Sequence, residues 1–339
     1  MTIHILQVLS GECIIVDFEN GKCILVDGGY KRTYPKLKKK LIELNRDGKR
    51  LEYVILTHYD EDHIAGLIKF FKENGKKGKE KIIPVDNVIC NQFTCLYDKI
   101  PFVEGGFRCE ISYNQQQKFE EVCQNNGWVL SQNDVISDAE FKGTDYTIKV
   151  ISPSAEALKA CREIEIEHEQ AGNRIQPIGG VIYRDLSDWC KISKGSELSI
   201  VNKASLSFEI IYGECRLLFC GDADMNRYKE RLLHHYDVIK LSHHGTYIGN
   251  ECFCNSSQVI ADNYIISTNG QRKEHPNRRL LAEVLMQPHC KKLLLNYDLS
   301  KIKNEQYYLL YDEKQQAKYA FNTITTQSIA FGEKHNDGN

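Results

Sequence analysis

The sequence lacks a long apolar run, a C-x-x-C pair and a large net charge. A membrane helix needs about 20 consecutive apolar residues, so we expect no membrane association. Zinc-binding cysteine pairs usually have the C-x-x-C spacing; structural zinc at Cys252 and Cys254, which are only a C-x-C pair, is left as an alternative. The net charge of −2 excludes a global basic field, so any anion must bind at a local patch.

The cysteines also argue against a disulfide framework. There are 13 of them, an odd number without regular spacing. Several lie in apolar runs, where a thiol behaves as a small buried hydrophobe. So many free thiols suit a reducing compartment. The first residues lack the basic start of a signal peptide, so we expect a cytoplasmic protein.

The hydrophobic pattern predicts strands and helices that alternate along the chain. The turn Asn20-Gly21 is a strong hairpin signal, and Pro35 suits the first turn of a helix. The predicted strands are 3–9, 12–18, 22–27, 51–56, 82–90, 145–151, 205–212, 215–220, 237–241, 262–267 and 290–296, with a β-like tail at 306–331. The predicted helices are 35–45, 64–73, 155–170, 225–235 and 277–286.

This order predicts an α+β or α/β fold in which two sheets pack face to face with helices outside, a four-layer αββα sandwich. We expect one domain over residues 1–335, with insertions at about 76–145 and 155–200. Long insertions near a site are often lids, so substrate choice is expected to reside there.

A dense group of metal-ligand residues follows the predicted strand 51–56. Residues 57–63 read Thr-His-Tyr-Asp-Glu-Asp-His and so place His58, Asp60, Asp62 and His63 within six positions. Ligands in α/β proteins gather at the carboxyl ends of strands. Imidazole and carboxylate together suit zinc, manganese or iron. A solvated acidic turn would explain the charges but not this spacing, so we interpret the segment as a tight turn that binds metal.

Further ligands are expected after later strands, because four side chains cannot saturate two ions. Asp222 follows the apolar run that ends at Cys220, and His243 and His244 follow the strand that ends at Leu241. His275 follows another strand through a loop, although a single His-Pro is usually an ordinary loop residue. Their occurrence after successive strands makes each a candidate ligand.

These motifs together resemble the metallo-β-lactamase-fold hydrolase domain of the DNA-uptake competence protein ComEC. The motifs that carry the resemblance are, in chain order, residues 25–29 (LVDGG), 57–66 (THYDEDHIAG), 151–153 (ISP), 202–206 (NKASL) with 217–222 (LLFCGD), 241–246 (LSHHGT), 266–276 and 296–298 (NYD). The opening strand departs from that family's pattern, since it reads QVLSG where D-V-G-Q-G is usual. No transmembrane channel accompanies the domain, so DNA uptake is not implied.

The resemblance, extended to related hydrolases such as phosphorylcholine esterases, implies a specific division of ligands between two ions. One ion would be bound by His58, Asp60 and His244, and the other by Asp62, His63 and His275, with Asp222 bridging them. His243 would then face the substrate, on the argument that adjacent side chains of an extended segment point opposite ways. Asp62 and His243 are the residues expected to act in catalysis.

The expected activity is hydrolysis by two divalent ions, Zn or Mn, which activate a water for attack on phosphorus or a carbonyl. Several basic or polar residues near the expected ligands are candidates for binding phosphate: Lys240, Arg272, Lys273, Arg278, Arg279 and Ser205. A solvated face explains the charged ones equally well. The lysines at 36–40 and 76–81 are expected to be exposed, with a nucleic-acid track as the alternative.

The leading hypothesis is therefore a phosphodiesterase or nuclease that acts on DNA, RNA or a cyclic nucleotide. One alternative keeps the fold and changes the bond to a thioester, lactone or lactam. The other is a nucleic-acid-binding subunit of a defence complex with a vestigial site. The complete set of candidate ligands favours an active enzyme.

Overall fold

The computed structural model describes residues 1–75, 80–92, 107–128, 130–131, 133–162, 183–254, 259–272, 274–289, 291–302 and 307–331. Within them the strands form two sheets. The six-stranded sheet has the order β14 (Ser328–Ala330), β1 (Thr2–Ile5), β2 (Ile14–Asp17), β3 (Lys22–Val26), β4 (Arg50–Ile55) and β5 (Val85–Ile89). The eight-stranded sheet has the order β13 (Phe321–Thr325), β12 (Lys291–Leu295), β11 (Ile260–Ile266), β10 (His235–Lys240), β9 (Cys215–Phe219), β8 (Ser207–Tyr212), β7 (Tyr146–Ser152) and β6 (Glu140–Lys142).

Helices lie on the outer faces of the two sheets. They are α1 (Tyr34–Arg46), α2 (Glu61–Asn74), α3 (Phe107–Asn125), α4 (Ala155–Arg162), α5 (Ile200–Lys203), α6 (Arg278–Leu285) and α7 (Glu313–Tyr319). Successive side chains of a strand point to opposite faces of its sheet. Both faces of each sheet are buried in apolar clusters. In β3, for example, Val26 packs between the sheets whereas Leu25 packs in the core shared with α1 and α2.

Three apolar clusters separate the four layers. One lies between the sheets and joins Ile3 and Val16 to Phe208 and Val238. A second packs the first sheet against α1, α2 and α3, and a third packs the second sheet against α6. The sandwich αββα predicted from the element order is confirmed, because each sheet is covered on its outer face by helices and on its inner face by the other sheet.

The carboxyl ends of the parallel strands position the candidate site. β3 and β4 are parallel in one sheet, and β9, β10 and β11 are parallel in the other. The loops that leave these five strands carry Asp27, His58, Asp222, the pair His243-His244 and Ser267. Loops after parallel strands emerge at one edge of a sheet, so these side chains can converge.

Several sequence-based boundaries differ from the structure. α2 begins at Glu61 rather than 64, so Asp62 and His63 lie in its first turn and not in a free turn. The predicted helix at 225–235 is a 3-10 helix, Met225–Arg231, and α7 interrupts the predicted β-like tail. α3, inside the first insertion, was not predicted at all. The predicted helix at 155–170 is described only as far as Arg162, and its remainder lies outside the described residues.

In the part of the chain that the structure describes, we find no helix with both the length and the apolar character that a bilayer crossing demands.

The loop after β3 packs against α2 at a close contact between backbones. The amide of Gly66 donates to the carbonyl of Gly29 at 2.8 Å, and the amide of Gly28 donates to the carbonyl of His63 at 2.8 Å. A Cβ at position 66 would lie 1.9 Å from the carbonyl oxygen of Gly28. Only glycine allows this approach, which fixes α2, and with it His63, against the end of β3.

We therefore expect Gly66→Ala to lower the free energy of unfolding by about 3 kcal/mol or more, because two backbones must separate. Gly21→Ala is the control: its Cβ would meet nothing within 4 Å, although φ is +86°. It should cost only about 1–2 kcal/mol, for the left-handed conformation. Urea unfolding of both variants measures the difference, and equal losses would contradict the close-contact explanation.

Candidate metal centre

The first four candidate ligands come from the β4–α2 connection. His58 follows β4, and Asp60 occupies the N-cap position of α2. An aspartate at this position usually accepts a hydrogen bond from the helix backbone, but Asp60 makes no side-chain cap. Its Oδ2 instead lies 3.6 Å from His58 Nε2. Asp62 and His63, in the first turn of α2, are both buried.

The second sheet contributes Asp222, His243 and His244. The two histidines do not lie in an extended segment, as the sequence-based argument for their separation assumed. Both have left-handed backbone angles, with φ of 47° and 56°. This sharp turn brings Nε2 of His243 to 3.6 Å from Asp222 Oδ2, and Nε2 of His244 to 3.6 Å from Asp62 Oδ2.

Two groups of ligand atoms result, each within 4.8 Å. One contains His58, His63 and Asp222, and the other contains Asp62, His63 and His244. Asp222 Oδ2 lies 3.7 Å from His58 Nε2, whereas its Oδ1 lies 3.5 Å from His63 Nε2. The two oxygens of this carboxylate therefore face different histidines.

Several of the ligand atoms have no hydrogen-bond partner. Nε2 of His58, His63 and His244 and Oδ1 of Asp222 are buried without a hydrogen-bond partner among the described residues. Such orphaned groups are costly in a protein interior. Two ligands of one tetrahedral ion with bonds near 2.1 Å lie about 3.4 Å apart. The observed separations of 3.5–3.7 Å are close to this value, so the residues present fit a metal centre.

The opposite nitrogen of each buried imidazole has a partner that fixes the ring. Nδ1 of His63 lies 2.7 Å from Asp27 Oδ2, and Nδ1 of His244 lies 2.9 Å from the carbonyl of Ser267. Nδ1 of His58 lies 3.0 Å from Thr57 Oγ1. A metal-binding histidine usually contacts such a carboxylate or carbonyl through its other nitrogen, which directs the free one at the ion.

Asp27 is a functional residue that the sequence-based argument did not assign. Its Oδ1 accepts from the amide of Thr57 at 2.9 Å, and its Oδ2 accepts from Thr57 Oγ1 at 2.7 Å and contacts His63. It is fully buried, with a left-handed φ of 55°. The one signal was its place in the Asp-Gly-Gly that follows β3.

The carboxylates give the centre a negative potential that attracts cations. Burial alone would lower the pKa of His63, yet the carboxylates of Asp222 and Asp27 raise it well above its ordinary value. Burial alone would raise the pKa of Asp222, but the surrounding imidazoles, led by His63, hold it well below its ordinary value. Asp222 is therefore an anion at neutral pH.

His243 differs from the other imidazoles of the centre. Its side chain is 21% exposed, whereas those of His63 and His244 are fully buried. Burial lowers the pKa of His243 to about 4, so the ring is neutral at pH 7. The side-chain amide of Asn202 lies 3.4 Å from both ring nitrogens. His243 thus lies where a bound substrate can reach it.

The division of ligands implied by the resemblance does not match these distances. His244, not His275, lies with Asp62 and His63, and His244 does not join His58 and Asp60. The ring of His275 packs against the rings of His243 and His244, with centroids 4.8 and 5.5 Å away. His275 therefore borders the two groups without belonging to either.

Two residues that were predicted to contact substrate, Lys240 and Ser205, are fully buried in the structure. Lys240 has no exposed side-chain surface and forms an ion pair with Glu12, which is equally buried. Ser205 accepts from the amide of Asp222 at 3.1 Å, and its Oγ lies 3.4 Å from His58 Nδ1. Ser205 thus contacts two candidate ligands and Lys240 pairs with Glu12, whereas polar character alone did not distinguish these roles from substrate contact.

Of the predicted phosphate-binding arginines, only Arg272 reaches the centre among the described contacts. It is 48% exposed and donates to Asp62 Oδ2 at 3.0 Å. Arg278 lies over the ring of Tyr183, and Arg279 pairs with Glu283 at 2.7 Å. Lys273 lies outside the described residues.

Comparison with known proteins agrees with this architecture. The model of the Metallo-beta-lactamase superfamily matches residues 6–79, which include β2 to α2 and the first four ligands. The chain has the metallo-β-lactamase fold, a metallo-hydrolase fold that binds divalent ions. No curated protein matches the sequence, so the closer resemblance to ComEC stays a prediction.

Solved structures with a similar fold are distant. Zn²⁺-bound PqqB from Methylobacterium extorquens is 12% identical, with 98% of this chain and 100% of that chain covered and a TM-score of 0.47. YhfI from Bacillus subtilis is 12% identical, with coverages of 87% and 95% and a TM-score of 0.45. Igni18, a metallo hydrolase from Ignicoccus hospitalis, is 9% identical, with coverages of 98% and 100% and a TM-score of 0.42. These similarities do not indicate a substrate.

Asp27→Asn tests the support of His63. The amide keeps the size of the side chain but removes the charge, so metal affinity should fall by about 10- to 100-fold. Competition with a chromophoric chelator measures this affinity. Asp262→Asn, which removes an exposed carboxylate paired with His235, is the control and should leave it unchanged. Equal affinities in the two variants would show that Asp27 does not act on the metal centre.

Proposed function

We propose that the chain is a hydrolase of phosphodiesters that uses two divalent ions, Zn or Mn. The observation that carries the proposal is the convergence of buried nitrogen and carboxylate atoms without partners in two adjacent groups. A vestigial site would not be expected to retain so many unpaired buried groups, since each costs stability.

Asp222 is the bridging ligand in this proposal, because its two oxygens face different histidines. Asp62, His63 and His244 would bind one ion, and His58 and Asp60 would bind the other. Ions held there would lower the pKa of a shared water and take up charge that develops on the substrate. The mixture of imidazole and carboxylate ligands suits either Zn or Mn.

The remaining residues act on the substrate. His243 is neutral and partly exposed, so its remaining N–H can donate a hydrogen bond to a substrate oxygen. Asn202 holds its ring in place. Asp62 orients Arg272, whose guanidinium can hold a phosphate oxygen at the edge of the centre. Because this cation suits a charged diester better than a neutral ester or lactam, we favour phosphodiesters.

Purified protein should hydrolyse bis-p-nitrophenyl phosphate after loading with zinc or manganese, and a chelator should stop the reaction. Asp222→Ala should lose at least one of two bound ions by elemental analysis, because its carboxylate lies within 3.7 Å of both His58 Nε2 and His63 Nε2. Nitrocefin and a thioester are tested in parallel. Turnover of either, with none of the diester, would overturn the phosphodiester assignment while keeping a hydrolase.

The two adjacent histidines should separate by their metal content. His244→Ala should lose both metal and activity. His243→Ala should keep both ions while kcat falls by about 10²- to 10³-fold, the scale for loss of one transition-state donor. Loss of metal from the His243 variant and not from the His244 variant would reverse these roles.

A further inference from the structure

Two arginines converge on one tyrosine at the edge of the metal centre. The guanidinium carbons of Arg32 and Arg272 lie 5.3 and 5.9 Å from the centroid of the Tyr30 ring. Tyr30 Oη lies 3.0 Å from Ser10 Oγ and 3.5 Å from Asp62 Oδ2. Tyr30 therefore joins two cationic side chains directly to a candidate metal ligand.

The positive charge continues away from the centre along α2. Lys31 lies beside Tyr30 in a short 3-10 turn that packs on α2, and α3 packs on α2 as well. Lys72 of α2 is close enough to Lys118 of α3 and to Lys31 for their charges to lower its pKa, after a larger effect of partial desolvation. All three lysines are exposed. We call Arg272, Arg32, Lys31, Lys72 and Lys118 the basic strip.

The four strip residues beyond Arg272 are not neutralised. In the ranges that the structure describes, Lys31, Arg32, Lys72 and Lys118 form no ion pair with a carboxylate. The carboxylate of Glu121 raises the pKa of Lys72, but by less than either lysine lowers it. By contrast, the neighbouring Lys38 pairs with Glu73 at 2.7 Å. The whole chain has a net charge of −2, so this local excess of positive charge indicates that the surface binds an anionic partner.

We propose that the basic strip binds the phosphate backbone of a nucleic-acid strand and leads it to the metal centre. The inference rests on the proposed function and names its substrate class. From Asp62 to Lys72 the helix rises about 15 Å at 1.5 Å per residue. This length matches roughly four nucleotides of a strand at 3.4 Å each. A cyclic nucleotide or a mononucleotide at the metal centre would not reach Lys72 or Lys118.

The strip is tested with the variant Lys31→Gln/Lys72→Gln/Lys118→Gln, which leaves every candidate ligand and Arg272 in place. Its control is Lys142→Gln/Lys301→Gln/Lys314→Gln, which removes the same charge from exposed positions outside the strip. Binding of a fluorescent 20-nucleotide single strand is measured by anisotropy over a range of salt concentrations. Hydrolysis of bis-p-nitrophenyl phosphate is measured on the same proteins.

We expect the strip variant to bind the strand at least 10-fold more weakly at low salt. The slope of log affinity against log salt should fall by about 2, for three lost phosphate contacts. Its turnover of the small diester should match that of the unchanged protein. The control variant should retain both the affinity and the salt slope.

Equal losses in the strip and control variants would overturn the proposal, because the effect would then be one of net charge. An unchanged affinity would overturn it as well. Selective loss of binding to anionic phospholipid vesicles, with strand binding intact, would assign the strip to a membrane surface instead. Strand binding through the strip without any diester hydrolysis would refute the proposed function and keep the strip, so the two failures are distinguishable.

Discussion

Buried negative charge at the shared edge of the two sheets is the constraint on which the rest of the structure depends. Asp27, Asp62 and Asp222 are each less than 10% exposed there, and Glu12, whose amide donates to the carbonyl of Asp62, is fully buried. A buried carboxylate is stable only if it is paired and hydrogen-bonded. Asp27 meets this need through Thr57 and His63, and Glu12 through Lys240. Asp62 and Asp222 face imidazoles at distances too long for hydrogen bonds, which leaves room for cations between them.

Short-range sequence patterns predict many of the elements that form this edge. The Asn20-Gly21 hairpin, Pro35 at the start of α1 and the strand that ends at Ile55 were all predicted from short-range patterns. The sandwich followed from the order of these elements. The spacing of histidine and aspartate after β4 predicted a metal site, because these candidate ligands lie close together in the chain.

The parts that were not predicted depend on contacts between distant segments. Lys240 is buried against Glu12 because β10 packs on the loop after β1, and no local sequence pattern predicts this contact. The place of His244 beside Asp62 depends on two consecutive residues with left-handed backbone angles, which are uncommon for any residue other than glycine. α3 was missed because its hydrophobic residues show no clear helical periodicity, although its side chains Phe119 and Cys123 are buried. The extent of the single domain and its insertions stays a prediction.

Anomalous diffraction from a crystal of the zinc- or manganese-loaded protein tests the central claim most directly. The account predicts two metal peaks on either side of Asp222, one contacted by His58 and Asp60 and the other by Asp62, His63 and His244. A single peak, or a peak contacted by His275 in place of His244, would contradict the division of ligands. Absence of any peak at Asp222 in metal-loaded crystals would contradict the metal centre itself.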